Sequence, residues 1–254
     1  NYWNALAFTI NVIVVFGAQS QHLKLLGMKD NATLSKKYQT LITPSGYAFA
    51  IWGIIYFAEF GFIIAQLFFP ATTNTNFFVT DIVGYNFIYA CFAQSVWSIC
   101  FGYEYITASF ICMIAILGSL LPIVYKILFT RTTTANNVDR DDYSWLWNEF
   151  PMEIHCGWIM AASLVNMNVL LVSYHVSSKV QIISAYITLG IILFCGTFFS
   201  VFLTFFSGRI SSHKEFSFVI PCVMAWASIA ISKELNSPNE LIVTNFSPDI
   251  INSI

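Results

Sequence analysis

The chain has 254 residues, 57% of them hydrophobic, 17% aromatic and only 9% charged, with a formal net charge of −2 and a mean hydropathy of +0.69. A soluble domain carries roughly 25% charged residues, so this chain lacks the polar surface that a water-exposed globule needs. Its 11 basic and 13 acidic residues are too few and too balanced for the basic footprint of a nucleic-acid-binding protein.

What remains is an all-α polytopic membrane protein, because seven apolar segments approach the roughly 20 residues that cross a bilayer; the first and last are short for a full span, which leaves six spans, seven, or a re-entrant variant open. The numbering opens on Asn1 rather than Met, as it would after removal of a presequence. The first segment, Trp3 to Gln19, leads into a polar connection, Ser20 to Gly46, that carries Lys24, Lys29, Lys36 and Lys37. The second runs from Tyr47 to Phe68, and its Trp52, Tyr56, Glu59 and Gln66 fall at steps of 4, 3 and 7, on one helical face. Glu59 sits near the middle of that span, where an ionised carboxylate costs about 2.5 kcal/mol or more. It should face the bundle interior, either as a functional group or as a neutral donor of one interhelical hydrogen bond.

The third and fourth segments, Tyr85 to Tyr103 and Tyr105 to Phe129, together form 45 nearly uncharged residues. That is too long for one helix across one bilayer, so a tight hairpin is expected near Gly102 to Tyr105. Asn86, Gln94 and Trp97 share a face of the third. After a loop from Thr130 to Pro151, whose Asp139 to Asp142 cluster reads as a solvated surface, the fifth segment runs from Met152 to Tyr174. There His155, Trp158, Ala162 and Asn166 recur at steps of 3, 4 and 4, and the small Ala162 leaves a recess between an indole and an amide. The sixth (Val180 to Phe206) and seventh (Phe216 to Ser232) precede a polar tail, 233–254. Lys and Arg divide six against five between the two sides, which sets no orientation.

Three inner faces bearing Trp with amide or carboxylate groups fit one amphipathic cavity for a flat, mostly apolar ligand. They equally fit Trp packing with amides bonded between helices. Enzyme chemistry is not expected. The four histidines, His22, His155, His175 and His213, lie at segment ends without a metal-site spacing, and His155 reads as an interfacial anchor more readily than as an axial haem ligand. The six cysteines form no CxxC pair and read as small hydrophobes. There is no phosphate-cradling glycine loop and no GxSxG elbow.

The run Thr43-Pro44-Ser45-Gly46-Tyr47-Ala48-Phe49-Ala50-Ile51-Trp52-Gly53-Ile54-Ile55-Tyr56 resembles the second-helix signature of the TspO/translocator-protein family, the tryptophan-rich sensory proteins that include the peripheral benzodiazepine receptor. Gln94-Ser95-Val96-Trp97-Ser98 resembles the family's third helix. Pro151 and Trp158 to Asn166, with Trp and Asn eight residues apart, resemble its fifth. The resemblance covers about residues 1–175, a five-helix core, and leaves 176–232 as two additional spans. It departs where the family's double proline becomes Pro44-Ser45, and where Glu153 and His155 lengthen the approach to Trp158.

By this resemblance, a ligand cavity is implied at Trp52, Tyr56, Trp97, Trp158, Ala162 and Asn166, with tetrapyrroles such as protoporphyrin or haem, or sterol-like lipids, as ligands and no cofactor required. A cholesterol-recognition pattern is matched by Val172, Tyr174 and Lys179, and equally by Leu121 to Arg131 through Tyr125, so it discriminates little. Gln66 and Gln94 join Glu59 as intramembrane polar residues. The first functional expectation is therefore binding or transport of tetrapyrroles or sterol-like lipids. A second is a non-catalytic accessory subunit of a large organellar complex, such as a mitochondrial respiratory one, with the added spans meeting lipid, a second copy or other subunits. A third is a proton-coupled transporter using Glu59.

Overall fold

The computed structural model describes residues 1–18, 27–69, 76–133, 145–210 and 218–254, with side chains described outside 131–133 and 202–210. The acidic loop of Asp139 to Asp142, together with His22, Lys24, His213 and Lys214, lies outside the described residues. Within them every regular element is helical: α1 (Tyr2–Ala18), α2 (Asn31–Lys37), α3 (Ile51–Phe68), α4 (Asn86–Gly102), α5 (Ile106–Thr133), α6 (Phe150–Ser173), α7 (Ser178–Ile210), α8 (Val219–Leu235), α9 (Glu240–Asn245) and α10 (Pro248–Ser253). The seven apolar segments correspond to α1 and α3 to α8. Gly46–Phe68, Ile106–Thr130, Trp145–Ser173 and Ser178–Val201 are long and apolar enough to cross a membrane, and α1 is a shorter apolar helix. The protein is an all-α polytopic membrane protein.

The chain reverses between α4 and α5 in the three residues left over by their hydrophobic lengths. Tyr105 N–H donates to Cys100 O at 2.8 Å, and Glu104 takes the left-handed conformation at φ 64°. This is the six-to-one closure that ends many helices, with a glutamate where glycine is usual. α5 then lies along both α4 and α6, α1 packs on α4, and α8 packs on α6 and α7. Phe62, Phe87, Ile116, Leu120, Ile123, Met152 and Ile159 fill the space between them with no exposure worth noting. Outward-facing Phe57, Phe60, Phe92, Ile111 and Phe194 form the apolar surface that a bilayer solvates.

Two connections contain structure that hydrophobic runs do not reveal. In the first, Asp30 caps α2 by accepting from Thr33 N–H at 2.8 Å, a contribution of about 1 kcal/mol. In the second, the π-helical turn Phe78–Val83 buries Phe78, Val79, Ile82 and Val83. The polar tail likewise carries α9 and α10, whose Ile242, Phe246 and Ile251 (the second of these just past α9) are buried. All six cysteines are free thiols.

Candidate functional site

The 3₁₀ turn Gly46–Ala50 delivers the chain into α3, and the first turns of that helix place Trp52 and Tyr56 on a cavity. The larger lobe, about 430 Å³, is bounded by Tyr56, Gln94 and Trp97 inside and by Lys36, Gln39 and Glu234 at its mouth. A smaller lobe of about 70 Å³ continues from it between Trp158, Ala162, Asn166 and Met113. Thr43, Pro44, Phe49, Trp52 and Trp97 line both lobes, so the two form one space. The larger volume falls in the range that holds a small organic ligand.

All six residues expected to bind ligand, together with Gln94, thus meet on one cavity. The rings form two groups on the wall: Trp52 meets Trp158 edge-on at 6.3 Å and Phe49 meets Trp158 at 6.2 Å, while Trp97 stacks on Phe101 at 5.3 Å. Trp97 and Trp158 are 7% and 3% exposed, yet their Nε1 atoms have no hydrogen-bond partner among the described residues, and neither has Gln94 Oε1. A buried, unpaired polar group costs about 1–3 kcal/mol. Elsewhere the same face is satisfied: Gln94 Nε2 donates to Tyr56 Oη at 3.0 Å, Tyr56 donates to Asn11 Oδ1 at 3.2 Å, and Ser109 Oγ donates to Asn166 Oδ1 at 3.4 Å.

Glu59 and Gln66 do not line the cavity. Gln66 bridges α3 to α1, its Oε1 accepting from Asn4 Nδ2 at 3.1 Å and its carbonyl from Asn1 Nδ2 at 3.0 Å. Glu59 lies behind Trp52 and Tyr56, with Oε1 2.7 Å from His155 Nδ1 and both side chains 1% exposed. His155 is therefore no interfacial anchor. Helical winding begins at Trp145, ten residues earlier, so the ring lies inside the bundle, where its edge also meets Trp52 at 5.8 Å. Glu153 is buried as well, a second intramembrane acid that its place near a segment end conceals. The cholesterol-pattern residues lie apart from the cavity. Tyr174 is exposed and shares a hydrogen bond with Thr107 Oγ1 at 2.9 Å, Lys179 is exposed, and Val172 is half-buried. Of the alternative match, Tyr125 is exposed and the Arg131 side chain lies outside the described residues.

Sequence patterning misses the cavity's C-terminal wall, because Ala227 and Ile231 of α8 are generic apolar residues. The contacts of α8 explain one departure from the family pattern. Ser45 N–H donates to Ala230 O at 3.0 Å and Ser45 Oγ to Glu234 Oε2 at 3.0 Å, while Gln39 Nε2 donates to Glu234 Oε1 at 2.9 Å. A proline at position 45 could make neither of the Ser45 bonds. One turn further, Trp226 Nε1–H donates to Ala48 O at 3.1 Å and Tyr47 packs edge-on against the same indole at 5.2 Å. On the opposite side of the mouth α2 is tied down by Glu104, which binds Lys29, Lys37 and the Tyr38 hydroxyl, the last at 2.7 Å. These donors hold the Glu104 carboxyl at about 2, below its ordinary 4.5, Lys29 contributing most.

Indoles from α3, α4 and α6 line this cavity, and a Pro-led turn leads the chain into the first of those helices. The TSPO-like protein family model matches residues 1–247, from α1 through α9. No curated protein and no solved structure matches the chain. The family match covers nearly the whole chain, and the protein belongs to the TSPO-like protein family.

Proposed function

We propose that this TspO-type membrane protein binds, and presents or transports, a flat and largely apolar molecule, a tetrapyrrole or sterol-like lipid, in its tryptophan-lined cavity, without performing chemistry on it. One observation carries the reading: Trp97 and Trp158, two of the residues that line the cavity, each hold a deeply buried indole N–H that has no partner among the described residues. Protein interiors pair the large majority of such donors. A ligand supplying one or two acceptor atoms on a planar apolar body would satisfy both donors while burying itself against the rings.

Protoporphyrin and a sterol, each titrated into the full chain in nanodiscs, test this through tryptophan quenching and, for the porphyrin, its absorbance shift. Saturable binding is expected for at least one. Trp97→Phe and Trp158→Phe keep an apolar ring while removing the donor, and each should weaken binding roughly fivefold to tenfold, the worth of about one hydrogen bond. Absence of saturable binding by both probes, or affinities unmoved in both variants, overturns the proposal.

A further inference from the structure

Glu59 of α3 and His155 of α6, 96 positions apart in sequence and each 1% exposed, come together at 2.7 Å. The cavity does not use them as lining. A purely structural buried pair has its remaining lone pairs and protons satisfied by further donors and acceptors, since burial otherwise leaves each open atom a penalty. Here only the inner half is satisfied: Glu59 Oε2 and His155 Nε2 have no partner among the described residues. With a neutral imidazole the pair carries one net negative charge in an apolar interior. With one more proton it is net neutral, whether that proton rests on the ring or on the carboxyl. The low-dielectric surroundings make that single proton the difference between an expensive and a tolerable state.

We propose that Glu59 and His155 form an intramembrane proton-binding site whose occupancy is linked through Trp52 to the ligand in the cavity. Trp52 touches both partners of the linkage, its ring meeting the His155 edge at 5.8 Å and Trp158 at 6.3 Å while lining both lobes. The other ionisable groups around the pair are Tyr56 on α3 and Cys91 on α4, both within electrostatic reach of Glu59. Glu149, Glu153 and Cys156 flank His155 along the start of α6. Toward α3, α1 presents the amides Asn4 and Asn11 and the ring of Phe8, with no charge. His155 is thus the one basic group facing Glu59 from these elements. An anionic ligand in the cavity binds more weakly when the pair is net negative, so affinity falls as the proton leaves. Reciprocally, that ligand makes the site hold its proton more tightly.

This linkage rests on the cavity being a ligand site, and the test separates the two. In nanodiscs, the protoporphyrin affinity of the full chain is measured at about pH 5 and about pH 8. Wild type should bind roughly fivefold or more tightly at the lower pH; Glu59→Gln and His155→Gln should each reduce that ratio, and the double variant should bring it to near one. Equal pH dependence in wild type and both variants overturns the linkage. Infrared difference spectra over the same range, without ligand, read the proton directly. A pH-dependent carboxyl or imidazole band that either substitution removes supports the site, and spectra unchanged by pH or by both substitutions overturn it. If protoporphyrin fails to bind at every pH, the cavity reading and the linkage fall together while the infrared result still decides the proton site. Should Glu59→Gln fail to insert, His155→Gln carries both comparisons.

Discussion

Glu104 in the α4–α5 hairpin and Glu59 in the middle of α3 are both held against nitrogen donors, and they differ in how completely. Glu104 stands at the polar edge of the bundle and receives two ammonium groups and a phenol, so each of its oxygens is bonded. Glu59 stands where no water competes and receives one imidazole nitrogen, with its second oxygen open. The better-satisfied carboxylate is the one with less need of it, since water would serve Glu104 at little cost. Saturation at the edge identifies a structural clamp, here one that fixes α2 over the cavity mouth. Incomplete satisfaction in the interior identifies a group whose state can change.

The largest effect follows from stranding the interior carboxylate. His155→Ala leaves Glu59 buried with no compensating donor and should destabilise the protein by about 3–5 kcal/mol, the usual cost of breaking a buried pair from one side. The double variant Glu59→Gln with His155→Gln removes the charge while keeping two amides able to bond each other, and it should recover most of that loss. Denaturant titration in mixed micelles measures both. A His155→Ala protein as stable as wild type would erase the distinction between the two carboxylates.

At the edge the expected effect is smaller. The Glu104 carboxyl is held at about 2 against an ordinary 4.5, but its lysine partners are 41% and 48% exposed, so solvent screens much of the gain. Glu104→Gln should cost about 1 kcal/mol. Because the folded value is the lower one, the contribution is fully present above about pH 4.5 and is lost as the pH falls through about 2. Unfolding midpoints measured down that range should decline more steeply in wild type than in Glu104→Gln. Parallel curves would show that the clamp is not electrostatic.

The contrast also separates what was legible in the sequence from what was not. Hydrophobic length alone locates α1 and α3 to α8, and an apolar run too long for one bilayer crossing locates the hairpin at Glu104. Helical spacing puts Trp52, Tyr56, Trp97, Trp158, Ala162 and Asn166 on inner faces, because each shares a stripe with its neighbours. Periodicity states which face a residue occupies and says nothing about what lies opposite. Glu59 and His155 can each be drawn facing inward, but their meeting is a fact of how α3 and α6 pack. α2 escapes notice because its stability comes from the Asp30 cap and the Glu104 clamp rather than from an apolar stripe. The part played by α8 escapes because Ala227 and Ile231 carry no chemical signal.

A third carboxylate sharpens the comparison at its weakest point. Glu234 lies at the cavity mouth, half-buried like Glu104, with one oxygen bonded by Gln39 and the other by Ser45, and so falls between Glu104 and Glu59 in the number of its partners. Ser45→Ala removes one donor while the carboxylate keeps the other and gains water in its place. The expected loss is about 0.5 kcal/mol, the low end for a hydrogen bond whose acceptor remains solvated. Ser45→Pro removes the backbone donor to Ala230 as well, and this second bond has a half-buried helix behind it, so the loss should rise to about 1–2 kcal/mol. Measured against each other, the two variants separate the role of the side chain from that of the peptide N–H. If both leave stability unchanged while porphyrin affinity drops, α8 acts on the mouth of the cavity rather than on the fold. If Ser45→Ala costs as much as His155→Ala, Glu234 belongs with Glu59, and exposure is not what distinguishes a clamp from a switch in this bundle.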